Sequence, residues 1–226
     1  MRVLLTGAGS GVGQAVADVL HARGDELVLL ARHEHRAAEI QDRYDGADVR
    51  VADLAEPASL AAAVAGLDRL DAVVHAAGMI ELGPLAEIPL EHLTEQLAVN
   101  LVAPTELTRA LLPAVRATRG TVVFINSSAG LVAHPRWGAY AATKFGLKAV
   151  ADALREEEAA NGVRVTSVYL GRIATPMQAK VHEQEGKDYD PSVWGSAESA
   201  AATVVHVLDL PADVTIPDVR LRPAPR

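Results

Sequence analysis

Residues 4–13 read LLTGAGSGVG, an aliphatic run that breaks into four glycines, Gly7, Gly9, Gly11 and Gly13. With the two residues before it the run becomes RVLLT (2–6), short and nearly continuous in apolar character, which predicts a strand buried on both faces. The residues behind it, QAVADVLHARG (14–24), predict a helix that stops at Gly24. A glycine-rich turn between strand and helix lets backbone N–H groups approach a pyrophosphate, and the helix N-terminus favours its negative charge. Gly9, Gly11 and Gly13 do not fit G-x-G-x-x-G, because the last gap is one residue short. The pattern is T-G-x-x-x-G-x-G, carried by Thr6, Gly7, Gly11 and Gly13. The candidate cofactor loop is Thr6, Gly7, Gly9, Ser10, Gly11, Val12 and Gly13.

Outward from this loop the chain alternates strand and helix patterns. ELVLLA (26–31), DVRVA (48–52), DAVVHA (71–76), TVVFINS (121–127) and VRVTSVYL (163–170) share the apolar, valine-rich character of the first strand. Helical patterns occupy 13–23, 57–66, 101–119 and 140–161 between them. In the last of these, Leu147, Val150, Ala151 and Leu154 follow i, i+3, i+4, i+7 spacing and form one apolar stripe. Such alternation predicts a parallel sheet with right-handed crossovers and helices on both faces. With no internal repeat and no linker-like stretch, residues 1–226 are expected to form a single domain.

Composition narrows the function classes. The chain has 226 residues, 50% of them hydrophobic, and a formal charge of −8 with no basic run, which speaks against nucleic acid. It has no cysteine, so disulfides, thiol nucleophiles and thiolate metal sites are excluded. No stretch reaches membrane-spanning length, and no grouping of His, Asp and Glu suggests a metal site. A soluble cytoplasmic protein that binds neither nucleic acid nor membrane is expected.

The tip of the second strand carries cofactor information. A dinucleotide site selective for NAD places an acidic residue there for the ribose 2′-OH. Here the strand runs into LLARHEHR, with Arg32 at the tip, Glu34 nearby and Arg36 close behind. A guanidinium suits the extra 2′-phosphate of NADP through paired charge-assisted hydrogen bonds, so NADP(H) is expected over NAD(H).

Three further pieces lie at the carboxyl ends of predicted strands or on the helices that follow. INSSAG closes the fifth strand, YAATK begins thirteen residues beyond Ser127, and LGRIAT follows the sixth strand. The i, i+4 spacing puts Tyr140 and Lys144 on one helix face. A free tyrosine, with a pKa of about 10, is protonated at neutral pH, and a nearby ammonium favours the tyrosinate. Lowering that pKa to about 7 requires roughly 4 kcal/mol of differential stabilisation. Tyr140 is then expected to exchange a proton with a substrate oxygen that a serine hydroxyl holds.

Taken together, these motifs resemble the short-chain dehydrogenase/reductase family, in its shorter single-domain branch, from Arg2 to about Met177 and more loosely beyond. The resemblance implies a Rossmann-type doubly wound sheet of about seven strands, order 3-2-1-4-5-6-7. It implies a catalytic set of Ser127 (not Ser128), Tyr140, Lys144 and Asn100. The family's lysine also binds the nicotinamide ribose, and its asparagine supports a proton-relaying water. Further cofactor contacts are implied at Asp53 and Leu54, at Ala77 and Gly78 of HAAG, and at Gly171, Ile173 and Thr175 of the G-x-x-x-T segment. His75 and Ala76 replace the asparagines of the family's N-N-A-G, and Leu170 replaces the proline before Gly171. Ser10 stands where many NADP-preferring relatives have a basic residue, so cofactor choice rests mainly on Arg32.

His134, Trp137 and Met177 are candidate substrate-pocket residues, and 176–195 is a candidate lid, polar enough from 178 onward to be mobile before cofactor binds. The expected activity is hydride transfer between NADP(H) and a small carbonyl or alcohol, by a homodimer or homotetramer. A catalytically idle NADP(H) sensor on the same fold is the alternative.

Overall fold

The computed structural model describes residues 1–224; Pro225 and Arg226, within the expected 1–226 domain, lie outside the described residues. Six expected strands form where the sequence places them: β1 (Arg2–Thr6), β2 (Glu26–Ala31), β3 (Asp48–Val51), β4 (Ala72–His75), β5 (Thr121–Ser127) and β6 (Arg164–Leu170). Two short strands, β7 (Ile173–Ala174) and β8 (Gly195–Ser196), pair with each other beside the main sheet. Strand β9 (Asp218–Leu221) completes that sheet, which is parallel throughout and ordered β3-β2-β1-β4-β5-β6-β9. This is the expected doubly wound order, with β9 as the seventh strand.

Period-two alternation along the strands explains the three layers. Val3 and Leu5 of β1 join one core with α1 (Gly11–Ala22), α2 (Glu34–Arg43) and α8 (Ala197–Leu208). Leu4, between them, points to the opposite core, shared with α3 (Leu60–Ala63), α5 (Ala103–Arg116) and α6 (Gly138–Glu158). Leu4, Leu5, Leu20, Leu29 and Leu107 have no exposed surface, and each such side chain contributes about 2 kcal/mol by leaving water. The apolar stripe on α6 is present, with Leu147, Ala151 and Leu154 buried and Val150 half-buried.

Several helices differ from expectation. The pattern at 57–66 resolves into a tight turn at Pro57–Ser59 and the single turn α3, because four residues supply only one buried side chain, Leu60. Helix 101–119 is the second half of a longer rod: α4 (Leu90–Leu97), one π-helical turn (Ala98–Val102), then α5. The candidate lid segment contains α7 (Pro176–Glu185). Thr175 caps α7 by accepting from Gln178 N, and Gly186 closes it in a left-handed conformation. Val181 and His182 are buried beneath it.

Strand order reverses at β1, which pairs with both β2 and β4. The crevice beyond their carboxyl ends is where an open α/β sheet receives ligands. Among the described residues no helix is long and apolar enough to cross a membrane.

Candidate active site

The crevice opens between the glycine loop and the end of β4. Gly7 has φ +80°, and a Cβ there would stand 2.8 Å from Ala77 N. A Cβ on Gly13 would stand 2.3 Å from Gly7 O, so only glycine lets α1 start this close to β1. Ser10 is the N-cap of α1, yet its side chain makes no capping bond, so the first-turn N–H groups are not claimed by it. A glycine cradle facing an uncapped helix N-terminus fits the pyrophosphate of a dinucleotide. Thr6 is the exception in this loop. It is buried, and its hydroxyl accepts from Ala76 N and Ala77 N, both at 3.1 Å, holding β4 against the cradle instead of facing the cavity.

The His75 substitution keeps this strand end in place. His75 is buried, lies flat on Phe124 with ring centroids 5.0 Å apart, and meets Thr108 Oγ1 through Nε2 at 2.9 Å. Thr108 spends its own proton on Pro104 O at 2.7 Å, so His75 Nε2 donates. Burial pushes the His75 imidazole down to about 3, and Nδ1 has no partner.

Beyond the cradle, β5 ends at Ser127 and α6 presents Tyr140 and Lys144 one turn apart. Ser127 Oγ accepts from Ala129 N at 3.1 Å, and Ser127 and Tyr140 line the same cavity. Asn126 fixes both elements: its Oδ1 accepts from Ser127 N at 2.7 Å and its Nδ2 donates to Lys144 O at 3.2 Å. Lys144 Nζ donates to Ile125 O at 3.0 Å and lies 5.8 Å from the centre of the Tyr140 ring. Burial pushes the Tyr140 phenol up to about 12, with the nearby Ser127 hydroxyl pulling the other way, and pushes Lys144 down to about 8. Lys144 is not among the influences on the Tyr140 phenol here: desolvation is the largest influence at both groups, and Lys144 Nζ is directed at a backbone carbonyl. Asn100 sits in the π-helical turn behind them. Its amide accepts from Met79 N at 2.8 Å and donates to Met79 O and Thr143 Oγ1, tying that turn to α6.

One cavity of about 620 Å³ joins these parts. Its lining includes Gly7, Ser10, Gly11 and Val12 of the loop, Ala77 and Gly78 after β4, Ser127, Tyr140 and Lys144, and Gly171, Ile173 and Thr175 after β6. His134, Trp137 and Met177 also line it; His134 is exposed, and Trp137 stands edge-on to Tyr140 at 6.0 Å. Thr6, Gly9, Gly13, Asn100, Arg32, Asp53 and Leu54 are not on its wall.

Arg32 is largely exposed and turns to Asp53, 3.2 Å away, while Leu54 packs partly into the core. Arg36, by contrast, reaches back from α2 to donate to Gly9 O, and its guanidinium fills the space over Gly9. Arg172 and Glu185 also line the cavity, although no role was expected of either. Arg172 lies inside the G-x-x-x-T segment, which was the available signal; Asn126 had none beyond its place before Ser127.

A glycine cradle at the switch point of a parallel sheet thus shares one cavity with a Ser–Tyr–Lys set, the arrangement expected of a nucleotide-dependent oxidoreductase. Similarity to known proteins points the same way. A family model described as short chain dehydrogenase matches residues 1–186. An uncharacterised oxidoreductase of Staphylococcus epidermidis is 30% identical over 97% of this chain and 96% of its own. An NADPH-dependent 3-dehydrocapnine reductase of Ornithobacterium rhinotracheale is 29% identical over 84% of this chain and 72% of its own. A serine dehydrogenase solved with NADP+ superposes with a TM-score of 0.90 at 25% identity, covering 99% of this chain and 95% of that one. The chain belongs to the short-chain dehydrogenase/reductase family and is an oxidoreductase of that family.

Proposed function

We propose that residues 1–226 form a single NADP(H)-dependent domain that interconverts a small carbonyl compound and its alcohol. The observation that carries this reading is the shared cavity, with the glycine cradle at one end and Ser127, Tyr140 and Lys144 at the other. A bound NADP(H) supplies or takes up the hydride at its nicotinamide. The chain supplies alignment and the proton. In reduction, Tyr140 gives its phenolic proton to the carbonyl oxygen, and Ser127 Oγ holds that oxygen by a hydrogen bond. A phenol near 12 is protonated at neutral pH and so holds the proton to be given, and Lys144, near 8, still carries charge there. That charge, 5.8 Å from the ring centre, favours the tyrosinate left behind. Asn100 and Thr143 hold α6 in register for this transfer.

The NADPH-dependent relative and the NADP+-bound structural neighbour support NADP(H) as the cofactor. Within this chain, Arg36 over the glycine loop and Arg32 beside Asp53 are the cations available to a 2′-phosphate. Asp53 and Leu54 would serve the adenosine end, and Ile173 and Thr175 the nicotinamide end. Segment 176–195 acts as the lid in this reading, with α7 lying along the cavity. Exposed Val102 and Phe145, at the π turn and on α6, support assembly as a homodimer or homotetramer. A cysteine-free chain suits a reducing cytoplasm.

The test follows NADPH absorbance against ketones, aldehydes and quinones, with NADH as control. Tyr140→Phe is expected to lower turnover at least a thousandfold while NADPH affinity stays within about threefold. Near-normal turnover by that variant would overturn the mechanism.

A further inference from the structure

We propose that Arg172 is a carboxylate anchor in the substrate end of the cavity, so that the substrate is an oxo or hydroxy acid. This rests on the oxidoreductase reading and narrows it. Arg172 follows Gly171 at the end of β6 and lines the same cavity as Ser127 and Tyr140. Its guanidinium lies 6.0 Å from the centre of the Trp137 ring and 5.4 Å from that of Trp194. Trp137 in turn stands 6.0 Å from the Tyr140 ring, so a single indole separates the cation from the proton donor. Stacked between two aromatic faces, the planar cation is half-buried and held in orientation.

Its hydrogen bonds leave it with donors to spare. Both bonds to Glu185, at 2.8 and 2.9 Å, start from Nη2. A guanidinium has five N–H groups, so the Nε and Nη1 donors, which point to different edges of the cation, are not used by Glu185 and each can donate to a carboxylate oxygen. Glu185 also receives Lys187 Nζ at 3.0 Å, so two cations share one carboxylate and the cluster carries one net positive charge. The adjoining buried Nε1 of Trp194 has no hydrogen-bond partner. Much of the wall near Tyr140 is apolar, built by Ile80, Met177 and Val181, with Gln178 as a polar member. An apolar wall ending in one excess positive charge suits a short chain ending in a monoanion. A dianionic phosphate would meet repulsion from Glu185 at the same place.

The test compares acetoacetate and levulinate with their methyl esters, using NADPH and NADH, in the full-length wild type, Arg172→Gln and Glu185→Gln. The expected result is at least tenfold higher kcat/KM for an acid than for its ester in the wild type. Arg172→Gln should remove that preference through KM, with the esters nearly unchanged. Glu185→Gln breaks the same ion pair but raises the local positive charge, so it should sharpen the preference for the acid. If the pair serves only to latch α7, both variants will lose acid and ester turnover alike, which overturns the proposal. Equal use of ester and acid by the wild type overturns it too.

A readout independent of turnover is at hand, because the chain has only two tryptophans and both flank Arg172. Saturable quenching of their fluorescence by acetoacetate, absent with the ester and absent in Arg172→Gln, supports the anchor even if no substrate turns over. That combination would count against the oxidoreductase reading alone. No saturable change with either acid would overturn the anchor.

Discussion

Arg32 and Arg36 stand four residues apart, and their surroundings separate them. Arg32 is at the strand tip where a cofactor-selecting side chain is expected, but it is exposed and paired with Asp53. Arg36 is half-buried, pairs with Glu39 of its own helix, and reaches over the glycine loop to donate to Gly9 O. A cation already held beside the loop loses less side-chain freedom on meeting a phosphate than an exposed one. Arg36→Ala is expected to raise the KM for NADPH about tenfold, roughly 1.4 kcal/mol, with NADH little affected; Arg32→Ala should have the smaller effect. Steady-state kinetics with both cofactors check this, and an unchanged NADPH KM in Arg36→Ala would refute it. At this scale Ser127, Tyr140 and Lys144 were legible in the sequence, because their spacings of thirteen and four need only a strand end and one helix face. The posture of Arg36 was not legible. It depends on α2, a polar helix whose only buried side chain is Ile40.

The β1–loop–α1 element works by close approach of two backbones. A Cβ on Gly13 would meet Gly7 O at 2.3 Å and Gly7 C at 2.7 Å, and neither is a flexible side-chain end. Gly13→Ala must therefore push α1 away from β1. The expected cost is about 1–3 kcal/mol, with NADPH affinity lost as the cradle opens. Gly24, after α1, is the control: its φ is +82° but nothing lies within 4 Å of its Cβ position. Gly24→Ala should cost about 1 kcal/mol through backbone strain and leave NADPH affinity intact. Thermal unfolding and cofactor titration of the two variants separate the effects, and equal cofactor affinity in both would remove the close-approach argument. The strand, loop and helix of this element were readable from local pattern. Helix α7 was not, because Gln178, Val181 and His182 make only a weak local stripe within a polar segment. Docking supplies its order: Leu82 N donates to Gln184 Oε1, and Lys180 pairs with Glu81.

Across the whole molecule, acid stability is where a single buried ring becomes visible. His75 is held neutral with a folded pKa of about 3, against about 6.5 when unfolded. Unfolding in acid lets it take a proton, so its contribution is fully present above pH 6.5 and is lost as the pH falls from there toward 3. At pH 5 the loss is about 2 kcal/mol relative to pH 7. His75→Asn should flatten the fall in urea midpoint across that window while changing little above pH 7. Parallel pH profiles for the two proteins would show that His75 is not the cause. The replacement of asparagine by histidine was visible in the sequence. Its consequence was not, since the ring is neutral only because Phe124 and Thr108, far along the chain, enclose it.

The sequence by itself determined six strands of the main sheet, the glycine cradle, and Tyr140 and Lys144 on one helix face. Each of these rests on strand alternation, helix spacing or glycine's missing Cβ, all of which act over a few neighbouring residues. Only the tertiary structure decided which cation meets the loop, which ring closes over His75, and that Arg172, Glu185 and Trp137 share one wall of the cavity, with Trp194 against Arg172. Those pairings join residues tens of positions apart. They are set by how β6, α6 and α7 pack and by the cost of burying charge without a partner, which no local spacing records.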